Sequence, residues 1–314
     1  MTVESNEIVI TRTYDAPVAA VWEAWTDPAQ TEQWWGPRGF TLTTHSKDLR
    51  PGGSWVYTMH GPDGVDYPNK TQYFEVVARE KLVYDHGAND ERPPMFRVTV
   101  RFSESGGKTT MDMRMGFPTP EAAAQARAFI KQAGGDATWD RLAEYLAKKL
   151  MGKEIFVINR SFDAPIESIF AMWTAPEQLA QWLPPTAFQM QFKRADIRPG
   201  GHTLFSMSGC GIEFYARADY VAVEKPRQVV YTQQFCDKEG NVSRHPMAPT
   251  WPDTLLVRAD LSGEGSERTR VTVSCEPHGD VTPEELDVFA QSKAGMTQGW
   301  TGSFDKLEAY LASR

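Results

Sequence analysis

Tyr84 is followed two residues later by His86, in "LVYDHG", and Tyr231 is followed two residues later by Gln233, in "VVYTQQ". Residues two apart on a strand share a face, so each pair sets a phenol beside a second polar group. Inside an apolar cavity such groups shift their pKa, which is how a tyrosine or histidine comes to handle a proton. His86, Tyr84 and Tyr231 are therefore the candidate catalytic residues, and the same positions serve equally as ligand contacts or as core. Other chemistries find less support. His45, His60, His86, His202, His245 and His278 show neither His-x-x-x-His nor His-Glu-x-x-His spacing, so no metal is expected, nor any other cofactor. Cys210, Cys236 and Cys275 are odd in number and lack Cys-x-x-Cys spacing, which argues against a disulfide framework or a zinc site. Cys210, in "SGCG", falls between two strand-like runs where a hairpin loop belongs, not in a strand-to-helix nucleophile turn.

The elements that must position these residues are written twice. "WTDPAQTEQWWGP" at Trp25 returns as "WTAPEQLAQWLPP" at Trp173, and "DLRPGGSWVYTM" at Asp48 returns as "DIRPGGHTLFSM" at Asp196, a shift of about 148 residues. "WDRLAEYLA" at Trp139 answers "FDKLEAYLA" at Phe304. This is one domain duplicated, 1–150 and 151–314, and not a short-period solenoid. Each copy opens with an alternating strand (residues 8–14 and 155–162). A short helix follows, with Val18, Val21, Trp22 and Trp25 at i, i+3, i+4, i+7 and with Pro17 or Pro165 at its start. A second short helix carries the tryptophans, several β-rich runs read as an antiparallel meander, and a long helix closes the copy. In the second copy that helix begins at a capping box, Thr282 to Glu285, with Leu286, Phe289, Lys293, Met296 and Trp300 on one stripe. Gly134 and Gly135, and Gly295, Gly299 and Gly302, each weaken a helix by about 1 kcal/mol relative to alanine, which predicts a bend or close packing. Leu142, Tyr145, Leu146 and Leu150 run through Gly152 into the next strand with no flexible linker, so the two domains are expected to hold a fixed relation.

Duplication supplies an internal control: positions alike in both copies serve the fold, and positions that differ are free to serve different ligands. Arg12/Arg160, Asp15/Asp163, Trp25/Trp173, Trp34/Trp182 and the two "RPGG" turns are alike and read as structural. Asp48 with Arg50, and Asp196 with Arg198, read as ion pairs beside those turns rather than as acid and base. Trp35 differs, facing Leu183, and is a candidate for a cavity mouth. Trp55, Tyr57 and Met59 alternate onto one strand face, answered by Thr203, Phe205 and Met207; losing the Trp55 ring leaves the second cavity roomier or filled by another side chain. Met111, Met113 and Met115 become Val271, Val273 and Cys275, which would make the first cavity the adaptable one, or merely its core. The longer segment from Cys236 to Pro252, with Met247 and Trp251, is either a lid or ordinary loop drift.

Taken in this order, a strand, two short helices, a meander with "RPGG" at an early turn and a long glycine-containing helix resemble the START-type helix-grip (SRPBCC) superfamily. "DAPVAAVWEAWTDPAQTEQWWGP" and "DLRPGGSWVYTM" resemble its Aha-type branch, named for the activator of the ninety-kilodalton heat-shock-protein ATPase. The resemblance implies an α+β fold: two tandem helix-grip domains, each a curved antiparallel sheet wrapped around a long C-terminal helix over a mostly apolar cavity. It implies less about function, since members include lipid carriers, polyketide cyclases and proteins that sequester metabolites. The expected activity is binding or sequestration of a small hydrophobic or aromatic molecule. The alternatives are a cyclase, isomerase or hydrolase, and a chaperone-interaction role; the second helix-grip copy departs from the activator's own domain plan. Expected ligand contacts are Trp35, Trp55, Tyr57, Met59, Tyr84, His86 and Met113 in the first copy, and Phe205, Met207, Tyr231, Gln233, Trp251, Met296 and Trp300 in the second.

The totals agree with a globular chain: 314 residues, 41% hydrophobic, can bury a substantial core. A net charge of −8 without a basic stripe discounts nucleic acid. Neither a signal-peptide pattern nor a run of 18 apolar residues is present, so no membrane span and a cytoplasmic location are expected.

Overall fold

Alternation of apolar and polar residues folds each half of the chain into a sheet with one buried face. In the computed structural model, which describes residues 5–89, 92–132, 137–245 and 247–314, the chain divides into two compact units, Met1–Gly152 and Lys153–Arg314. The first unit runs β1 (Glu7–Tyr14), α1 (Val18–Thr26), α2 (Pro28–Trp34), β2 (Thr41–Lys47), β3 (Ser54–His60), β4 (Asp66–Val77), β5 (Lys81–Ala88), β6 (Phe96–Ser105), β7 (Lys108–Gly116), α3 (Pro120–Gln132) and α4 (Ala137–Met151). The second runs β8 (Phe156–Phe162), α5 (Ile166–Thr174), α6 (Pro176–Trp182), β9 (Gln189–Ala195), β10 (His202–Gly209), β11 (Ile212–Glu224), β12 (Gln228–Cys236), β13 (Thr254–Gly263), β14 (Thr269–Pro277) and α7 (Pro283–Ala312). Each sheet is seven-stranded and antiparallel, in the orders β1-β7-β6-β5-β4-β3-β2 and β8-β14-β13-β12-β11-β10-β9. Five successive hairpin neighbours thus lead from the second strand to the seventh, and the first strand returns to the far edge. These are the two tandem helix-grip domains that the family resemblance implies.

The repeated tryptophan phrase is a packing device. Trp34 is fully buried and donates from Nε1 to the Ala24 carbonyl at 3.0 Å, and Trp182 does the same to the Met172 carbonyl at 3.0 Å. Each indole so ties the second short helix to the first, and its ring lies against Trp25 or Trp173 at 5.6 or 4.8 Å. The "RPGG" turns are equally structural. A Cβ on Gly53 would come within 2.2 Å of the Asp48 carbonyl oxygen, and one on Gly201 within 2.3 Å of the Asp196 carbonyl, so only glycine lets the turn close. Arg50 meets Asp48 and Arg198 meets Asp196, both at 2.9 Å, as exposed ion pairs beside those turns.

The closing helix α7 is continuous for 30 residues. Its capping box is formed: Glu285 N–H donates to Thr282 Oγ1, and Thr282 N–H donates to the Glu285 carboxylate. Phe289, Phe304 and Leu307 are fully buried on its inner face. Of its glycines only Gly302 serves close packing, since a Cβ there would lie 2.7 Å from Thr186 Oγ1, whereas Gly295 and Gly299 face open space. In the first unit α3 and α4 flank residues 133–136; Gly134 and Gly135 lie outside the described residues. Cys210 and Gly211, both at positive φ, make the two-residue hairpin between β10 and β11, the loop position expected for "SGCG". Among the described residues no helix is long and apolar enough to cross a membrane.

Candidate functional site

The first unit holds an open-mouthed cavity of about 840 Å3 between its sheet and its helices. The strands contribute Met59 on β3, Asn69 on β4, Tyr84 and His86 on β5, Phe96 and Val98 on β6, Met113 and Met115 on β7, and Ile10 on β1, the repeated pairs lying two residues apart on one strand face. Trp35, Gly36 and Pro37, just beyond α2, and Trp139 on α4 close one side. The roof is α3, whose Ala122 and Ala126 stand one turn apart with Gln125 and Ile130 beside them. Alanines there leave unfilled the space that larger side chains would take, and the void follows from that. Exposed Asp66 and Tyr67, at the start of β4, and Arg92 and Met95, on the β5–β6 connection, border the mouth.

The backbone carbonyls that follow Trp35 are capped from α4. Arg141, on α4, donates from Nη1 to the carbonyls of Gly36 and Pro37, each at 2.9 Å, and burial pulls its pKa down to about 10. Arg38 and Glu144 form a paired ion bridge, 3.0 and 2.6 Å, between the same loop and helix. Together they fix the segment that carries Trp35 against α4.

Of the first-copy candidates, Trp35, Met59, Tyr84, His86 and Met113 border the cavity. Trp55 and Tyr57 do not. Their rings stack on each other at 4.0 Å behind Trp35, and Trp55 donates from Nε1 to Thr44 Oγ1 at 3.2 Å. Tyr57 reaches the site only through its hydroxyl, 3.5 Å from His86 Nδ1. Lys47 lies 4.1 Å over the Trp55 ring, donates to the Trp25 carbonyl at 3.0 Å, and is pulled down to about 7 by burial against the attraction of Asp27 and Glu32.

In the second unit the corresponding pocket among the described residues is only about 20 Å3, room for one water, bordered by Phe205, Tyr231 and Gln233 together with Trp173, Phe192 and Thr203. The exchange of Trp55 for Thr203 therefore did not make a roomier cavity. On the neighbouring strand Thr44 became Phe192, and Phe192 meets Phe205 at 5.9 Å, so a ring supplied by one strand replaces a ring lost from the next. Met207 packs at the edge with Met190 and Phe205 and does not border the void. Met296 and Trp300 are half-buried and pack against the core: Trp300 lies over Trp173 at 6.1 Å and against Phe304 at 5.6 Å. Trp251 rests on Phe289 at 5.7 Å, and Arg244 of the same segment pairs with Glu285, so the Cys236–Pro252 connection is pinned to the start of α7 and covers no open cavity.

Burial holds the polar groups of the first cavity neutral. His86 is pulled down to about 4, first by burial and then by the positive charge of Arg92. Burial raises the Tyr84 phenol well above its ordinary value, and Tyr57 likewise. At pH 7 the cavity therefore presents an uncharged imidazole and an uncharged phenol on one strand face. In the second unit burial raises Tyr231 and pushes Cys275 up to about 12. Among the described residues no three of His, Cys, Asp and Glu converge as metal ligands would.

Sequence reasoning missed Phe96, Phe117, Asn69 and the α3 roof, all of which border the void. The roof had a signal: "PEAAAQARAFI" spaces small residues along one helix face, where the second copy spends Phe289, Met296 and Trp300 on its own.

No curated protein matches the chain. Among solved structures, protein Ms6760 from Mycobacterium smegmatis is 20% identical, with a TM-score of 0.44, over 51% of this chain and 92% of its own. A protein from Staphylococcus epidermidis is 30% identical, with a TM-score of 0.42, over 48% of this chain and 96% of its own. DynU16, a protein of the dynemicin biosynthetic locus, is 18% identical, with a TM-score of 0.35, over 97% of this chain and 98% of its own. Residues 15–147 and 163–312 each match the family described as "Activator of Hsp90 ATPase homolog 1-like protein", and since the two matches take in most of the sequence, the chain belongs to that family in both of its halves.

Proposed function

We propose that this protein binds a small hydrophobic or aromatic molecule in its first unit, and that the second unit serves as a filled structural copy. The observation that carries this reading is the void itself: about 840 Å3, walled by methionine, phenylalanine, tryptophan and alanine, within the range that drug-sized ligands occupy. Open apolar space of that size forfeits dispersion contacts on every wall, and a ligand restores them. The methionine wall suits a ligand of irregular outline, because unbranched thioether side chains repack at little cost.

The state of the polar groups favours binding over turnover. A general base works best with a pKa near the operating pH, and His86 is held near 4. A phenol raised by burial is likewise a poor source of protons at neutral pH. Both groups hydrogen-bond as neutral partners instead.

Filling the void tests the reading directly. Ala126→Trp places an indole under the α3 roof, and it should abolish the fluorescence gain of a neutral solvatochromic dye such as Nile red while leaving the unfolding midpoint within a few degrees of wild type. Dye binding that survives Ala126→Trp unchanged would remove the cavity as the binding site.

A further inference from the structure

Tyr84 and His86 are neighbours on one face of β5, about 7 Å apart along the strand, and both border the cavity. Neither presents a group there that the protein itself satisfies. Tyr84 is 3% exposed, yet its hydroxyl has no hydrogen-bond partner among the described residues. His86 makes one polar contact through Nδ1, to the Tyr57 hydroxyl at 3.5 Å, while its ring lies between Trp35 at 6.5 Å and Phe96 at 5.0 Å. Its Nε2 has no partner among the described residues. Two polar side chains on the wall of a mostly apolar cavity are the arrangement by which a ligand pocket fixes orientation.

The Tyr57 hydroxyl lies 3.5 Å from His86 Nδ1, with the side chains of Trp35 and Thr71 beside the same oxygen. A ligand that accepts from Nε2 selects the arrangement in which Tyr57 donates to Nδ1. A neutral imidazole that accepts at Nδ1 carries its hydrogen at Nε2. The cavity wall thus offers two donors, the Tyr84 O–H and the His86 Nε2–H, on a mostly apolar surface that also carries Asn69 and Gln125.

From this geometry we infer that the ligand is a neutral aromatic or alicyclic carbonyl compound, a ketone or quinone whose oxygen accepts from Tyr84 and His86 while its ring system fills the space under α3. This rests on the binding reading above and narrows it to a chemical class. A carboxylate is a poor fit at this wall, because both donors are uncharged and a buried charge is costly unless paired; Arg92 borders the exposed mouth. The second unit keeps the same two positions as Tyr231 and Gln233 but has room for a single water, so the specificity belongs to the first.

Three naphthalene probes of similar size test it on the full-length protein: 2-acetylnaphthalene, 2-isopropylnaphthalene and 2-naphthoate, measured by calorimetry against wild type, Tyr84→Phe and His86→Leu. The ketone should bind more tightly than the carboxylate, and lose about tenfold in affinity in each variant, while the hydrocarbon is unaffected. Unchanged hydrocarbon affinity also certifies that each variant is folded. As a second readout that needs no variant, the infrared carbonyl band of the bound ketone should lie below its position in hexane, as it does on accepting a hydrogen bond. If the hydrocarbon binds but the ketone loses nothing in either variant and its band stays at the hexane position, the carbonyl assignment is overturned and the binding reading stands. Tighter binding of naphthoate than of the ketone overturns it too. If neither neutral probe binds wild type, the binding reading itself fails, and this inference with it.

Discussion

His86 shows how burial, reinforced by a neighbouring charge, can set the character of a site. Its imidazole borders the cavity and is held neutral to about pH 4, against an ordinary value of 6.5. In the unfolded chain the same group protonates as the pH falls through 6.5, so the unfolded state binds the extra proton first. The His86 contribution to stability is therefore complete above pH 6.5 and is lost progressively as the pH falls towards 4. Arg92 acts in the same direction by opposing a second positive charge, and the neighbouring Tyr57 and Tyr84 are uncharged throughout. His86→Gln, which installs the residue that the second unit carries at Gln233, should flatten this component. Urea unfolding of both proteins at pH 7, 5.5 and 4.5 checks it: the wild type should lose more stability than the variant over that window, and parallel losses would mean that His86 is not the group titrating. That a Tyr-x-His pair lies on one strand face was legible from period-two spacing. That its nitrogen and hydroxyl lack protein partners was not, because that depends on which of the other strands' side chains stop short of them.

Glycine acts at the level of the element, and the structure separates glycines by what a Cβ would meet. At Gly53 and Gly201 a methyl group would run into the backbone carbonyl of Asp48 or Asp196, which cannot withdraw without opening a turn that Tyr73 or Tyr220 ties to the next strand at 2.9 Å. Gly53→Ala and Gly201→Ala should each destabilise their unit by about 2 kcal/mol or more. Gly295, in the middle of α7 and facing open space, should respond the other way: Gly295→Ala should stabilise by about 1 kcal/mol through helix propensity. Thermal unfolding of the three variants reads both signs in one series, and a Gly53→Ala protein as stable as wild type would show that the turn is not constrained as described. The repeated "RPGG" pointed to a structural role for these glycines. The α7 glycines, by contrast, looked alike in sequence, and only the contact between Gly302 and Thr186 distinguishes one from the others.

Across the whole molecule, duplication of the fold has not duplicated the cavity. With about 840 Å3 open in the first unit and about 20 Å3 in the second, each chain should take up one molecule of 2-acetylnaphthalene. Native mass spectrometry with a titrated excess of the probe should show a single adduct that disappears in Ala126→Trp, and a saturable second adduct would sink the account of the second unit as filled. The sequence by itself determined the repeat, the order of elements, the capping box at Thr282, the tryptophan staples and the glycine turns, because each of these is written in residues close together along the chain. Only the tertiary structure decided which copy holds a void. A cavity is the difference between the space a sheet and helices enclose and the volume of side chains from all of them: Trp55 lost to Thr203 is offset by Thr44 becoming Phe192 on the adjacent strand, and the alanines of α3 leave room where α7 supplies rings. No single stretch records that sum, because close packing is settled between residues that meet only after the chain has folded.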